Sequence, residues 1–177
     1  MTDIVLVRHA QSVPPVWGVP DVPDRPLTAQ GLANARALAP ELLALRPAVV
    51  VSSPYLRAVQ TVEPLGLPVL TRHELREWDS GLTPGADFVE HYRQSWADTS
   101  WTHGAGESLD QLTERAVAAL RQLAREYPGR TVVIGSHGTF VSRALAGFGE
   151  RVDWAFSRDM PMPAVHRLSV AAVDDEL

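Results

Sequence analysis

Two histidines of this sequence follow apolar runs and have other reactive residues beside them. Arg8 and His9 come directly after the first such run, and His137 ends a Gly-Ser-His stretch after a later one. A neutral imidazole is a nucleophile and a proton carrier. Guanidinium groups match the oxygen atoms of phosphate, and Arg57 offers a second guanidinium shortly after another apolar run. Together these residue types favour chemistry on a phosphate group.

The elements that must position these residues are short strands. Residues 4–7, 48–51 and 131–134 are continuous apolar runs rich in β-branched residues, a pattern typical of strands buried on both faces. Helical patterns separate them, which predicts an α/β three-layer sandwich with a mostly parallel central sheet flanked by helices. Ligands of such sheets bind at the carboxyl ends of the strands. If the first and third strands are neighbours, with the second beside them, the two histidines and two arginines converge there.

Caps and amphipathic stripes predict the helices. Thr28 and Ser53 are each placed to cap a helix, and Ser108 and Gln111 have the spacing of a capping box. Pro40 lies inside the first helical stripe, and we expect it to bend or split that helix. The predicted helices start after residue 28, at 55–63, at 87–96, after residue 108 and at 139–146, and further strands are predicted at 69–70 and 165–173.

The composition excludes several classes of function. The sequence contains no cysteine, which excludes disulfides, a thiolate nucleophile and cysteine-ligated metal sites. All 16 basic residues are arginine, so a Walker-type phosphate loop and Schiff-base chemistry are excluded as well. Against 21 acidic residues they leave a net charge of −5 without a basic stripe. We therefore expect neither nucleic acid nor an anionic membrane as a partner.

The length of 177 residues predicts a single domain over residues 1–177. The N-terminus has a short apolar run and no basic start, so it does not have the pattern of a secretory signal. No run approaches the roughly 18 apolar residues of a membrane span. These features predict a cytoplasmic protein, whereas the oligomeric state is not readable from the sequence.

Motifs along most of the chain resemble those of the histidine phosphatase superfamily, also called the phosphoglycerate mutase-like family. An Arg-His pair alone is a weak signal, but a series of motifs in the order of the family is a strong one. In chain order the motifs are LVRHAQS (6–12), DRPLTAQG (24–31), SSPYLRAVQT (52–61), LRE (75–77), GES (106–108) and GSHG (135–138).

The resemblance implies a role for each of five residues. His9 matches the histidine that attacks phosphorus and forms a phosphohistidine. Arg8, Arg57 and His137 match residues that bind the phosphate and stabilise the transferring group. Glu77 stands in the place of the family's acidic residue, and we expect it to protonate the leaving alkoxide and later to activate water. This scheme requires no metal and no cofactor.

Two more residues are candidates for phosphate binding, and two positions depart from the family pattern. Ser12 offers a hydroxyl, and Gly138 offers a backbone N–H at the positive end of a helix. Ala10 stands where the family usually has glycine, a small change. Pro15 stands where an asparagine is often found, so one phosphate-contacting amide is missing or replaced.

The implied activity is that of a metal-independent phosphatase acting on phosphate monoesters of small molecules. Two alternatives stay open. A phosphoglycerate-type mutase would return the phosphoryl group to its substrate, although the chain lacks the long insertions associated with such mutases. A non-catalytic protein would bind a phosphorylated ligand without turnover, although all the expected polar residues are present. The sequence does not identify the leaving group.

Some residues have more than one interpretation. Glu74 is an alternative to Glu77 as the acid, and a surface ion pair is the simpler role for either. Trp17 and Trp78 are candidates for a pocket wall, although most tryptophans belong to cores or anchor loops. Arg143 is expected to be a solvated helix residue.

Overall fold

Five strands form the central sheet of the computed structural model, which describes residues 1–172. The strands are β1 (Thr2–Arg8), β2 (Val49–Ser52), β3 (Val69–Thr71), β4 (Thr131–Ser136) and β5 (Ala164–Val170). Their order across the sheet is β3-β2-β4-β1-β5. Strands β1 to β4 are parallel where they pair, and β5 runs antiparallel to β1. The sheet is therefore mostly parallel, as predicted.

The strands form where the sequence has its apolar runs. Residues 4–7 of β1 are all 0% exposed, because helices cover both faces of this strand. β4 pairs with β1 on one side and with β2 on the other, which is the arrangement under which the two histidines and two arginines converge. The last strand was predicted at 165–173. β5 ends at Val170, and Val173 lies outside the described residues.

The helices that flank the sheet begin near the predicted caps. Within residues 1–172 they are α1 (Ala29–Ala44), α2 (Leu56–Val62), α3 (Phe88–Ala97), α4 (Leu109–Glu126), α5 (Gly138–Gly147) and α6 (Trp154–Arg158). Thr28 accepts the N–H of Gly31, and both bonds of the Ser108–Gln111 capping box are present, so these two caps are confirmed. α6 was not predicted. None of these helices has the length and apolar character needed to cross a bilayer.

Of the two outcomes expected at Pro40, a bend or a split, the split is wrong. The helix continues through Pro40 to Ala44. Pro40 is exposed, and its missing N–H removes only one hydrogen bond, whereas Ala35, Ala39 and Leu42 stay buried on the other side. Burial of that apolar side maintains the helix across the proline.

The predicted cap of α2 is also wrong. α2 begins at Leu56, and the residue before it, Tyr55, provides no side-chain cap. The hydroxyl of Ser53 instead lies 2.8 Å from Nε2 of His137, and it accepts the backbone N–H of Tyr55 at 3.2 Å. Ser53 thus keeps one local bond ahead of the helix, and its hydroxyl also contacts a residue distant in sequence.

Arg143 is not solvated as expected. Its side chain is 11% exposed and donates from Nε to Oγ1 of Thr113 on α4 at 2.8 Å. Its guanidinium carbon lies 5.2 Å from the centre of the Trp96 ring, a cation–π geometry. Arg143 therefore joins α5 to α3 and α4.

The sheet separates two apolar layers. One layer combines side chains of β1 and β4 with those of α4 and α5, among them Ile4, Leu6, Ile134, Leu120 and Phe140. The other combines alternate residues of the same strands with α1 and α2, among them Val5, Val7, Val133, Leu42 and Val62. Successive strand residues point to opposite faces. The result is the three-layer α/β sandwich that was predicted.

Candidate active site

His9 directly follows β1 and is 7% exposed. Its Nδ1 lies 2.7 Å from the carbonyl oxygen of Ala10. Because a carbonyl oxygen only accepts, Nδ1 carries the ring hydrogen and Nε2 keeps its lone pair. The N–H of Ala10 donates to Oγ1 of Thr61 at 3.0 Å, which holds this backbone in place. The ring is thus fixed in the tautomer that leaves Nε2 nucleophilic.

The surroundings of His9 also keep it neutral. Burial lowers the pKa of His9 from 6.5 to about 3, and the positive charges of Arg57, Arg8 and Arg25 act in the same direction. The carbonyl of Ala10 opposes this shift only in part. At neutral pH the imidazole is therefore unprotonated at Nε2.

His137 lies between β4 and α5 and is 0% exposed. The centre of its ring is 5.3 Å from that of His9 and 5.1 Å from that of Tyr55. Burial lowers the pKa of His137 well below 6.5, and the charge of Arg57 acts in the same direction. Both imidazoles are thus neutral and close together.

Two arginines stand beside the histidines, of which Arg57 is buried and Arg8 is half-buried. Nη1 of Arg8 donates to the carbonyl of Met160, and the guanidinium of Arg57 lies 5.0 Å from the centre of the Tyr55 ring. Within residues 1–172, four buried side-chain nitrogens have no hydrogen-bond partner, and three of them are Arg8 Nε, Arg57 Nε and His137 Nδ1. Buried donors without partners are costly, so their concentration here marks a site suited to an anion.

Asp21 and Arg25 belong to the same site but were not predicted as site residues. Oδ2 of Asp21 lies 2.9 Å from Nη2 of Arg57, and Oδ1 lies 2.9 Å from Nε of Arg25. Nη1 of Arg25 donates to Oγ of Ser12 and to the carbonyl of Val13, each at 2.6 Å. Ser12 is therefore bonded to an arginine of the site. A signal was available, because Arg25 lies within the DRPLTAQG motif.

Glu77 places its carboxylate at the N-terminus of α5. Oε1 accepts the N–H of Phe140 at 3.0 Å and of Trp78 at 2.8 Å, and Oε2 accepts the N–H of Thr139 at 3.3 Å. Its negative charge opposes the lowering of the pKa of Arg8 that burial causes. The positive end of α5 was expected to face the anion, but two of its N–H groups are bonded to Glu77.

Gly138 lies against the guanidinium of Arg8. A Cβ atom at this position would be 2.9 Å from Nε and 3.0 Å from Cζ of Arg8. Only glycine gives the guanidinium this space. The structure thus brings Gly138 to the site through its contact with Arg8.

The other candidate residues from the sequence differ in their exposure to solvent. Glu74 is exposed, whereas Trp78 is 7% exposed and belongs to the apolar core behind Glu77. Trp17 is 72% exposed in the proline-rich loop. Tyr92 of α3 was not predicted. Its ring centre lies 5.0 Å from that of Trp78, and burial and the charge of Glu77 raise its pKa.

Within the part of the chain that the structure describes, no three His, Asp or Glu side chains are grouped as a metal site requires. The arrangement can do a different kind of chemistry. It combines a neutral imidazole with a free Nε2, several guanidinium donors and one carboxyl group, which are the parts needed to transfer a phosphoryl group.

Comparison with known proteins agrees with this geometry. The sequence model of the histidine phosphatase superfamily (branch 1) matches residues 4–176. The chain is 30% identical over 176 residues to phosphoserine phosphatase 1 of Hydrogenobacter thermophilus, which covers 90% of this chain and 83% of that protein. It is 37% identical over 126 residues to an acid phosphatase of Mycobacterium tuberculosis, which covers 67% of this chain and 61% of that protein.

Solved structures show the same fold. A mycobacterial glucosyl-3-phosphoglycerate phosphatase with inorganic phosphate superposes with a TM-score of 0.76 at 25% identity, covering 94% of this chain and 89% of that one. A mutant phosphoserine phosphatase of Entamoeba histolytica, in complex with phosphoserine, gives a TM-score of 0.78 at 20% identity, covering 94% and 90%. At that identity the second comparison concerns the fold alone.

Proposed function

The chain belongs to the histidine phosphatase superfamily, and we propose that it hydrolyses phosphate monoesters of small molecules through a phosphohistidine formed on His9. The observation that supports this most directly is the state of the His9 ring. Its Nδ1–H is held by the carbonyl of Ala10, which leaves Nε2 free. The donors beside it, on Arg8, Arg57 and His137, include nitrogens without a partner within residues 1–172.

In the first step, Nε2 of His9 attacks phosphorus in line with the leaving oxygen, so that a P–N bond forms while the P–O bond breaks. Arg8, Arg57 and His137 bind the non-bridging oxygens, where negative charge is concentrated in the transition state. Glu77, in its protonated form, gives its proton to the leaving alkoxide. The alcohol departs and Glu77 is left as a carboxylate.

In the second step, water replaces the alcohol. The Glu77 carboxylate takes a proton from water while the water oxygen attacks phosphorus and the P–N bond breaks. Inorganic phosphate leaves, and neutral His9 and protonated Glu77 are restored. Every atom and proton of the reaction is accounted for without a metal or cofactor.

Arg25 completes the set of phosphate donors in this proposal. The sequence has Pro15 where an asparagine amide is often found, and Pro15 is exposed in the structure. Arg25 is held by Ser12 and lies close enough to His9 to lower the pKa of that imidazole. We therefore assign to Arg25, oriented by Ser12, the contact that the missing amide would make, and to Gly138 the space that lets Arg8 reach the phosphate.

Phosphoserine is the first substrate to test. One relative is named a phosphoserine phosphatase and another an acid phosphatase. Both names describe hydrolysis of phosphate monoesters, in agreement with the anion site around His9. A panel of other phosphorylated metabolites would then define the leaving group.

The decisive experiment traps the intermediate. Enzyme mixed with radiolabelled phosphoserine and quenched into alkaline detergent should retain label that is stable to base and lost in acid. His9→Ala should retain no label and release no phosphate, whereas His103→Ala, which changes an exposed histidine, should behave like the parent protein. Release of phosphate by His9→Ala at the parent rate would overturn the mechanism.

The same preparation separates the alternatives. With a monophosphoglycerate, phosphorus NMR should show growth of inorganic phosphate. Interconversion of the two isomers without phosphate release would instead indicate a mutase. Binding without a phosphoenzyme or phosphate release would indicate a non-catalytic protein.

A further inference from the structure

Arg115 of α4 holds the backbone of the segment that ends in Glu77. Its Nη1 donates to the carbonyl oxygens of Glu74 at 2.7 Å and of Arg76 at 3.0 Å. Its Nη2 donates to the carbonyl oxygen of Glu77 at 3.3 Å. One side chain thus satisfies three carbonyl groups within four consecutive residues, so the path of this segment depends on it.

Glu107 fixes the orientation of Arg115. Its Oε1 lies 2.8 Å from Nε and its Oε2 lies 2.9 Å from Nη2 of Arg115, a bidentate pair with only 14% and 13% of the two side chains exposed. The backbone of Glu107 reaches the same segment, since its N–H donates to Asp79 at 2.6 Å and its carbonyl accepts Nε1–H of Trp78 at 2.7 Å. The segment is therefore held on both sides of Glu77.

The carboxylate of Glu77 must occupy a narrowly defined position. It must accept N–H groups of Thr139 and Phe140 at the start of α5 while facing the site. Arg115 also contacts this region, because its guanidinium carbon lies 5.7 Å from the centre of the Phe140 ring. A displacement of about 1 Å in a catalytic group is enough to lower a rate about 100-fold.

We propose that Arg115, oriented by Glu107, is a positioning residue for proton transfer: it fixes the backbone of Glu77 so that its carboxyl group meets the leaving oxygen. This inference rests on the proposed function, in particular on the role of Glu77. Arg115 does not touch the phosphate in this proposal. Its loss therefore affects the step that needs the proton and spares the step that does not.

The leaving group distinguishes these steps. An alkyl phosphate such as phosphoserine needs a proton on its departing oxygen, whereas dinitrophenyl phosphate releases a stable anion without one. The measurement is the rate of leaving-group release in the first turnover, for both substrates, with Arg115→Ala, Glu77→Gln and the double variant. The control is Arg143→Ala, which removes an arginine of similar exposure that also bridges α4 and α5, and whose partners on α4 are Thr113 and Asp110 instead of the backbone of residues 74–77.

We expect Arg115→Ala to lower the first-turnover rate with the alkyl phosphate about 10- to 100-fold. The rate with dinitrophenyl phosphate should stay within about twofold of that of the parent protein. In the Glu77→Gln background the same change should have no further effect on the alkyl phosphate, because the acid is already absent. Arg143→Ala should leave both first-turnover rates within about twofold.

Two results would overturn the inference. One is that Arg115→Ala slows the reactions of both substrates equally. The other is that the rate reductions caused by Arg115→Ala and by Glu77→Gln multiply in the double variant. If Glu77→Gln itself slows the two substrates equally, the acid role of Glu77 fails, and the inference fails with it. If Arg115→Ala does not fold, Arg115→Lys gives the same comparison, since one ammonium cannot bond both Glu107 oxygens and three carbonyls.

Discussion

Oδ2 of Asp21 lies 2.9 Å from Nη2 of Arg57, so an acidic side chain is bonded to an arginine of the anion site. Arg57 is 1% exposed, whereas the side chain of Asp21 is 35% exposed. The ion pair therefore joins the buried site to the proline-rich loop. A phosphate dianion needs the same kind of N–H groups, so in the proposed function the Asp21 carboxylate would compete with substrate and product for them.

We predict that Asp21→Asn strengthens inhibition by inorganic phosphate about three- to tenfold, because removal of a carboxylate frees Arg57 and Arg25 to bind the anion. The measurement is the inhibition constant of phosphate against phosphoserine hydrolysis. Asp24→Asn is the matched control, because it removes the same charge from an exposed position of the same loop. Weaker inhibition in Asp21→Asn would show that the carboxylate supports phosphate binding.

The pH dependence should report the acid role of Glu77. We expect a bell-shaped profile of kcat/KM for phosphoserine, and Glu77→Gln should lower kcat about 100-fold or more and remove the limb that reports the protonated carboxyl group. Glu74→Gln should retain the profile, since Glu74 is exposed. An unchanged profile and rate in Glu77→Gln would remove Glu77 from this role.

The buried neutral His9 should make stability depend on pH. Its pKa is lowered from 6.5 to about 3, so below pH 6.5 the unfolded chain binds a proton that the folded protein does not. Stability is thus retained above pH 6.5 and lost as pH falls toward 3. Between pH 7 and pH 5 this group alone should lower the free energy of unfolding by about 2 kcal/mol.

Urea titrations at the two pH values measure this loss. His9→Gln should lose about 2 kcal/mol less than the parent protein between them, because it has no proton to bind. His73→Gln, an exposed histidine, should lose as much as the parent. Equal losses in the parent protein and His9→Gln would contradict a buried neutral imidazole.

Gly138→Ala should impair phosphate binding while the fold persists. The new Cβ would lie 2.9 Å from Nε of Arg8, at the far end of a flexible side chain that can move away. We expect KM for phosphoserine to rise about tenfold with a small change in the urea midpoint. Gly85→Ala is the control, because its Cβ would make ordinary contact at 3.8 Å. An unchanged KM would show that Arg8 does not need this space.

The sheet and its strand ends were predictable because local pattern and burial agree there. The apolar runs before His9 and His137 are buried on both faces, and parallel strands bring their carboxyl ends together. The carbonyl that orients the His9 ring belongs to its chain neighbour Ala10, so this contact is local as well.

The parts that were missed depend on contacts between distant residues. Ser53 has the sequence signature of a cap, but α2 begins only at Leu56. The hydroxyl of Ser53 contacts the ring of His137, which lies 84 positions away in the sequence. The ion pair of Asp21 with Arg57 depends on the path of a loop that has no periodicity to reveal it. Arg143 is covered by Trp96, a residue of another helix, so its burial is not visible in its own neighbourhood of the sequence.

The bonds between Glu107 and residues 78 and 79 have a practical consequence. They bring together the two ends of the segment 79–106, which includes α3 and Tyr92. The segment therefore begins and ends at neighbouring points, and between them α3 packs against α5 through Trp96 and Arg143. A segment with adjoining ends can vary in length with little strain on the sheet, so we expect related proteins that accept different alcohols to differ here, provided that the contact of α3 with α5 is kept.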